Sequence, residues 1–141
     1  MTEQILVINS GSSTLKYACY DRHSMECRKR ETIELDGQDY DAVLKDILSR
    51  CPNIAAVGHR VVHGGREFAA PVRIDENVLK KLQQLIPLAP LHQPHNLKAI
   101  EHIREIYPEM QQIACFDTAF HRNQPVLNQL YALPQKFTDE G

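Results

Sequence analysis

Gln4-Ile5-Leu6-Val7-Ile8-Asn9-Ser10-Gly11-Ser12-Ser13-Thr14-Leu15-Lys16 decides the fold. The apolar, β-branched run over residues 4–9 is a strand, and the Ser/Gly cluster that stops it is turn chemistry. Beyond the turn, Leu15, Tyr17 and Cys19 alternate with Lys16, Ala18 and Tyr20, and Thr32-Ile33-Glu34-Leu35 alternates again after a polar link. A period of two over both stretches predicts three strands in the first 35 residues, joined as an antiparallel meander. The turn gathers backbone N–H groups and hydroxyls around one small concavity, a nest suited to an anion, with Lys16 adding charge from the returning strand. A hairpin whose Ser and Gly only satisfy turn geometry is the alternative. There is no G-x-x-x-x-G-K-[ST], so the P-loop class is disfavoured.

Working outward, Asp36-Gly37 breaks the pattern, and Tyr40, Val43, Leu44, Ile47 and Leu48 recur at helical spacing until Cys51-Pro52-Asn53. Residues 54–62 form an apolar run with the length of a buried strand, closed by Gly64-Gly65. Val78, Leu79, Leu82, Leu85 and Ile86 mark a second helix, and a Pro-punctuated loop over residues 88–94 follows it. Leu97, Ile100, Ile103 and Ile106 mark a third, stopped by Pro108, and Gln112 to Phe116 reads as a short buried strand. The order βββ-α-β-α-α-β predicts an α/β fold with a mixed sheet, and the polar end from Phe137 to Gly141 closes no visible element.

The composition excludes several classes of function. A chain of 141 residues with 43% hydrophobic and 24% charged residues fits one ordered domain, residues 1–141, rather than a disordered chain. A formal net charge of -2 offers no field for nucleic acid or an anionic membrane, and no run approaches the roughly 20 apolar residues of a membrane span. Cysteines at 19, 27, 51 and 115 form no C-x-x-C pair, and no apolar leader precedes them, so a reduced cytoplasmic setting is expected.

Two further stretches could carry chemistry. Gly58-His59-Arg60-Val61-Val62-His63-Gly64-Gly65 places a guanidinium inside an apolar strand, where it needs an anionic partner. That partner is either a substrate carboxylate or phosphate, matched by the planar fork, or an internal Asp or Glu. His59 and His63 are not a zinc pair, because residues four apart on a strand are separated by about 13 Å. Phe116-Asp117-Thr118-Ala119-Phe120-His121 puts a carboxylate directly after a buried strand, where open α/β sheets bind ligands. A turn or helix-capping aspartate is the alternative.

Four segments in order, at 7–16, 58–65, 88–94 (Leu-Ala-Pro-Leu-His-Gln-Pro) and 116–121, resemble the acetate and propionate kinases, the acetokinase family. The resemblance runs along essentially the whole chain. It implies an actin-like, sugar-kinase (ribonuclease H-like) domain, the N-terminal one of two, with the C-terminal nucleotide-binding domain absent from this chain. It implies reversible phosphoryl transfer between ATP and a short carboxylate, acetate or propionate, with Mg2+ or another divalent cation as cofactor. On the matching positions, Asn9 falls at the metal site, Lys16 and Ser12 at the nucleotide phosphates, and Arg60 on the carboxylate and transferring phosphoryl group. Val62, Leu91 and His92 fall at the substrate pocket, and Asp117 at the catalytic aspartate. The family further implies a homodimer at full length, and the 141-residue chain alone is expected to be inactive. A stand-alone domain that binds small anions, or docks on a partner without catalysis, is the alternative.

Overall fold

The computed structural model describes residues 2–140. Strands β1 (Gln4–Ser10), β2 (Thr14–Asp21) and β3 (Cys27–Glu34) form the antiparallel meander. Helix α1 (Tyr40–Arg50) leads to β4 (Ile54–Val61), and β5 (Val72–Arg73) and α2 (Glu76–Gln84) lead to α3 (Gln93–Ile106) and β6 (Gln112–Phe116). The sheet order is β3-β2-β1-β4-β6-β5, with β1, β4 and β6 parallel to one another. Their carboxyl ends therefore meet at one rim of the sheet.

Each main helix has a sequence cause. Asp39 caps α1 by accepting from the Asp41 N–H, and Asp75 caps α2 by accepting from the Val78 N–H at 2.7 Å. In α1, Tyr40, Val43, Leu44, Ile47 and Leu48 face inward as their spacing predicts. They pack on Leu6, Ile8, Leu15 and Tyr17 of the sheet, while α2 and α3 pack on Val61, Ala114 and Phe116 in a second cluster.

Both clusters lie on one face of the sheet. The opposite positions, among them Ile5, Val7, Lys16, Arg60 and Cys115, carry none of the helices α1 to α3 among the described residues. Val7, in the central strand β1, is 38% exposed.

Three expectations need correction. The two-residue strand β5, paired antiparallel with β6, was not expected, because two residues show no period. The end of the chain is not without structure: α4 (Val126–Gln129) and α5 (Gln135–Asp139) are single-turn helices, each entered through a proline; Gly141 lies outside the described residues. The stripe over 78–86 divides into α2 and a 3-10 turn at Ile86–Leu88, because Pro87 cannot continue the helix.

Candidate functional site

At the rim where β1, β4 and β6 end, a cleft of about 330 Å3 is lined by Asn9, Ser10, Gly11, Thr14, Lys16, Arg60, Val62, His92, Asn96 and Asp117. A larger cavity of about 660 Å3 opens at the other end of the sheet, among Glu3, Arg22, Arg73 and Tyr107, away from these groups. The smaller cleft is the candidate site, because ligands of open α/β sheets sit beyond the carboxyl ends of the strands.

The hairpin between β1 and β2 forms one wall. Gly11 N–H donates to the Thr14 carbonyl at 2.9 Å, closing the turn. A Cβ on Gly11 would lie 3.2 Å from that carbonyl, so the tight turn favours glycine. Asn9 and Lys16 are cross-strand partners, which puts a carboxamide and an ammonium side by side on the same face. The buried Ser10 hydroxyl is bonded to Tyr40 Oη at 2.8 Å, anchoring the hairpin to α1.

Arg60 and Asp117 form the opposite wall as a bidentate pair. Arg60 Nε lies 3.0 Å from Asp117 Oδ1, and Nη2 lies 2.7 Å from Oδ2. The Arg60 side chain is not buried as the apolar run suggested: it is 53% exposed, because it points to the face opposite α1 to α3 while Val61 and His59 point inward. The bond to Asp117 lifts the guanidinium further above its ordinary pKa, so it is always charged. Asp117 opens a 3-10 turn (Asp117–His121) rather than capping a helix. The internal ion-pair reading of Arg60 thus holds in this structure, and the partner is the other candidate residue.

Past β4, four successive N–H groups are satisfied without the sheet. Val62 N–H donates to Asn96 Oδ1 at 3.0 Å, His63 N–H to Gln93 Oε1 at 3.2 Å, and Gly64 N–H to Thr118 Oγ1 at 3.0 Å. Gly65 N–H donates to His63 Nδ1 at 2.8 Å. A Cβ on Gly64 would fall 2.6 Å from the Phe68 carbonyl oxygen, so only glycine fits there.

Of the expected residues, the cleft brings together Asn9, Lys16, Arg60, Val62, His92 and Asp117. It does not include Ser12, exposed at the hairpin tip, or Leu91, which is 76% exposed. His59 is a core histidine, with Nε2 2.7 Å from Gln112 Oε1. Ser10, Gly11 and Thr14 line it as part of the turn read as an anion nest, whereas Asn96 was not singled out. Asn96 had a signal: it falls in phase with Leu97, Ile100 and Ile103, and a polar residue in an apolar stripe is buried for a reason.

A mixed sheet with an antiparallel start, helices between its later strands, and a nest, a lysine and an Arg–Asp pair at one rim defines an actin-like α/β domain of the sugar-kinase type. Within that class the chain belongs to the acetokinase family, whose model matches residues 24–141. It is 56% identical over 118 residues to an acetate kinase of Methylocella silvestris, covering 79% of this chain and 29% of that protein. The structure of a propionate kinase from Francisella tularensis superposes with a TM-score of 0.84 at 34% identity, over 99% of this chain and 43% of that one. Porphyromonas gingivalis acetate kinase gives the same TM-score at 30% identity. The chain thus spans less than half the length of the proteins it matches.

Proposed function

We propose that this chain supplies the carboxylate-and-phosphate half of the site of an ATP-dependent short-chain carboxylate kinase, forming an acyl phosphate reversibly. The observation that carries the reading is the convergence of Arg60, Asp117, Asn9 and Lys16 on one cleft at the sheet rim. Phosphoryl transfer needs positioning and charge neutralisation more than covalent chemistry from the protein. Arg60 offers a planar fork to the carboxylate and the moving phosphoryl group, Lys16 a point charge to phosphate oxygens, and the Gly11 turn its N–H groups. Val62 and His92 border the space in which the alkyl group of acetate or propionate sits.

Asn9 and Asp117 suit a divalent cation such as Mg2+. Both are oxygen donors at the cleft, and Mg2+ takes few protein ligands when phosphate oxygens and water complete its shell. Bound there, the cation would neutralise phosphate charge. On this reading the adenosine of ATP binds outside this chain, which spans less than half the length of the relatives it matches. No described helix is long and apolar enough to cross a membrane.

The test is an NMR titration of the chain with acetyl phosphate and Mg2+, beside a coupled ADP-release assay with acetate and ATP. Shifts confined to residues 9–16, 60–62 and 117, with no turnover by the chain alone, are the expected result. Acetyl phosphate shifts at the larger cavity, or none, would refute the reading.

A further inference from the structure

We propose that Asn96 is a positioning residue: its carboxamide is wedged between the ends of β1 and β4 and sets the distance between the anion nest and the Arg60 wall. The parallel ladder of β1 and β4 runs from Gln4↔Ile54 to Ile8↔His59 and stops there. Continued by two residues, it would bring the backbone of Ser10 and that of Val62 toward each other and close the rim. Instead, Asn96 Nδ2 donates to the Ser10 carbonyl at 2.8 Å, and Asn96 Oδ1 accepts from the Val62 N–H at 3.0 Å. One primary amide therefore takes the place of the missing peptide on both sides, pairing the Ser10 carbonyl and the Val62 N–H that the ended ladder leaves without each other. The strands part, and the cleft lies where they part.

Three observations make this more than a buried hydrogen bond. Asn96 is 5% exposed yet lines the cleft, so it reaches the site from beneath. Its two partners adjoin the two walls: Ser10 precedes Gly11 of the nest, and Val62 follows Arg60 by two residues. Its helix is fixed by a second amide one turn earlier, since Gln93 bonds both backbone groups of His63 and lies near the Leu82 carbonyl. A side chain held this way transmits the seating of α3 to both walls together, which the in-line approach of acceptor and phosphoryl donor demands.

The inference rests on the proposed site, and the experiment separates the two. Asn96→Asp is the informative variant, because one carboxylate oxygen can still accept from Val62 N–H while the other faces the Ser10 carbonyl. Protonation converts that second oxygen into an O–H donor, which restores both bonds. The other titratable or charged groups facing the cleft are Lys16, Arg60, His92 and Asp117, so every variant is compared with the wild-type chain at each pH. Two readouts are taken on the 141-residue chain. One is amide exchange at Val62 and across residues 10–14, without ligand; the other is the affinity of inorganic phosphate by NMR titration.

Asn96→Ala should accelerate exchange at Val62 and across the hairpin and weaken phosphate binding about tenfold, equivalent to loss of one well-made polar contact. Near neutral pH Asn96→Asp should keep Val62 protected but match Asn96→Ala in phosphate affinity and in exchange across residues 10–14, where the bond to the Ser10 carbonyl is lost, and both should approach the wild type as pH falls toward 4. Exchange and phosphate affinity in Asn96→Ala within twofold of wild type would overturn the inference. So would an Asn96→Asp variant that never diverges from Asn96→Ala as pH falls. Absence of phosphate binding by the wild type would sink the proposed site, while the exchange data would still judge Asn96.

Discussion

His59 should make the chain lose stability in mildly acidic solution, at a pH where most carboxylates are still ionised. Its imidazole is 2% exposed, and the partner of Nε2 is the Gln112 carbonyl oxygen, since Gln112 Nε2 is committed to the Ile100 carbonyl. The proton of the neutral ring is therefore on Nε2, and Nδ1 has no hydrogen-bond partner among the described residues. A second proton would have to enter at Nδ1 and leave a charge with no acceptor. Burial accordingly pushes the pKa of His59 down from 6.5 to about 4, against a smaller opposing effect of the Gln112 bond. Above pH 6.5 both folded and unfolded chains hold the neutral ring, so this stability is fully present. Between 6.5 and 4 only the unfolded chain takes up the proton, and stability falls as pH falls. At about 1.4 kcal/mol per pK unit, roughly 2 kcal/mol should be lost between pH 7 and 4.5. With a urea m-value of about 2 kcal/mol/M, that moves the unfolding midpoint by about 1 M. The assay is urea unfolding at both pH values for the wild type and for His59→Gln, whose amide still donates to Gln112 but does not titrate. Carboxylates held low by their partners, such as Asp41 by the His102 bond, contribute equally to both proteins. Parallel pH profiles for the two would refute the reasoning.

The site supports three shorter predictions. In an active acetokinase that carries this chain as its N-terminal part, Arg60→Ala should reduce acyl phosphate formation roughly 100-fold or more, as expected when a charge-assisted contact to developing charge is lost; near-normal kinetics on acetate would contradict it. In the same protein, Val62→Ala should raise the propionate-to-acetate ratio of kcat/KM by a graded amount, since a methylene in an apolar pocket is worth about 1–3 kcal/mol; an unchanged ratio would place the selection elsewhere. Gly64→Ala should destabilise the chain by about 1–3 kcal/mol in a thermal melt, because the new Cβ meets a backbone oxygen that cannot step aside; a melting temperature within a degree of wild type would show the loop to be slack.

How much of this was legible depended on how local each cause is. The hairpin, α1 and α3 follow from short-range periodicity, and the turn at Gly11 from its own residue types. The orientation of Arg60 was not legible. Its face of β4 is otherwise Ala56 and Gly58, so the strand shows no polar alternation and reads as buried on both sides. Only the placement of every main helix on the other face exposes it, and that is a tertiary fact. Strand β5 is likewise defined by a partner some forty residues away and not by its own pattern. The positions carried by family resemblance converge where the strands end, apart from Ser12 and Leu91, which project into solvent beside the cleft. The role of Asn96 was half written in the helical stripe, but its two backbone partners lie 86 and 34 residues away in sequence, beyond any local reading.

The Arg60–Asp117 pair implies a competition that separates binding from catalysis. In the free chain the guanidinium that should receive a substrate anion is already engaged in a bidentate contact by a carboxylate of the same cleft. An incoming acetate or phosphate must displace it. The pair is half exposed on both sides, 53% and 39%, so its strength belongs to the modest range of solvated ion pairs, about 0–1 kcal/mol, with the bidentate geometry favouring the upper end. Asp117→Asn keeps the shape, removes the competing charge and leaves Arg60 free to meet a ligand. It should therefore bind inorganic phosphate several-fold more tightly than wild type in the isolated chain, read by NMR titration of the residue 9–16 amides. The same variant in an active acetokinase should lose turnover, because the carboxylate is then missing from the phosphoryl-transfer step, while its melting temperature changes little. Opposite signs for anion binding and turnover are what a residue acting in the reaction gives. A structural cap gives loss of stability and no gain in binding. If Asp117→Asn binds phosphate no better than wild type, Arg60 is not the anion's ligand in the free chain, and the division of labour between the two walls of the cleft is wrong.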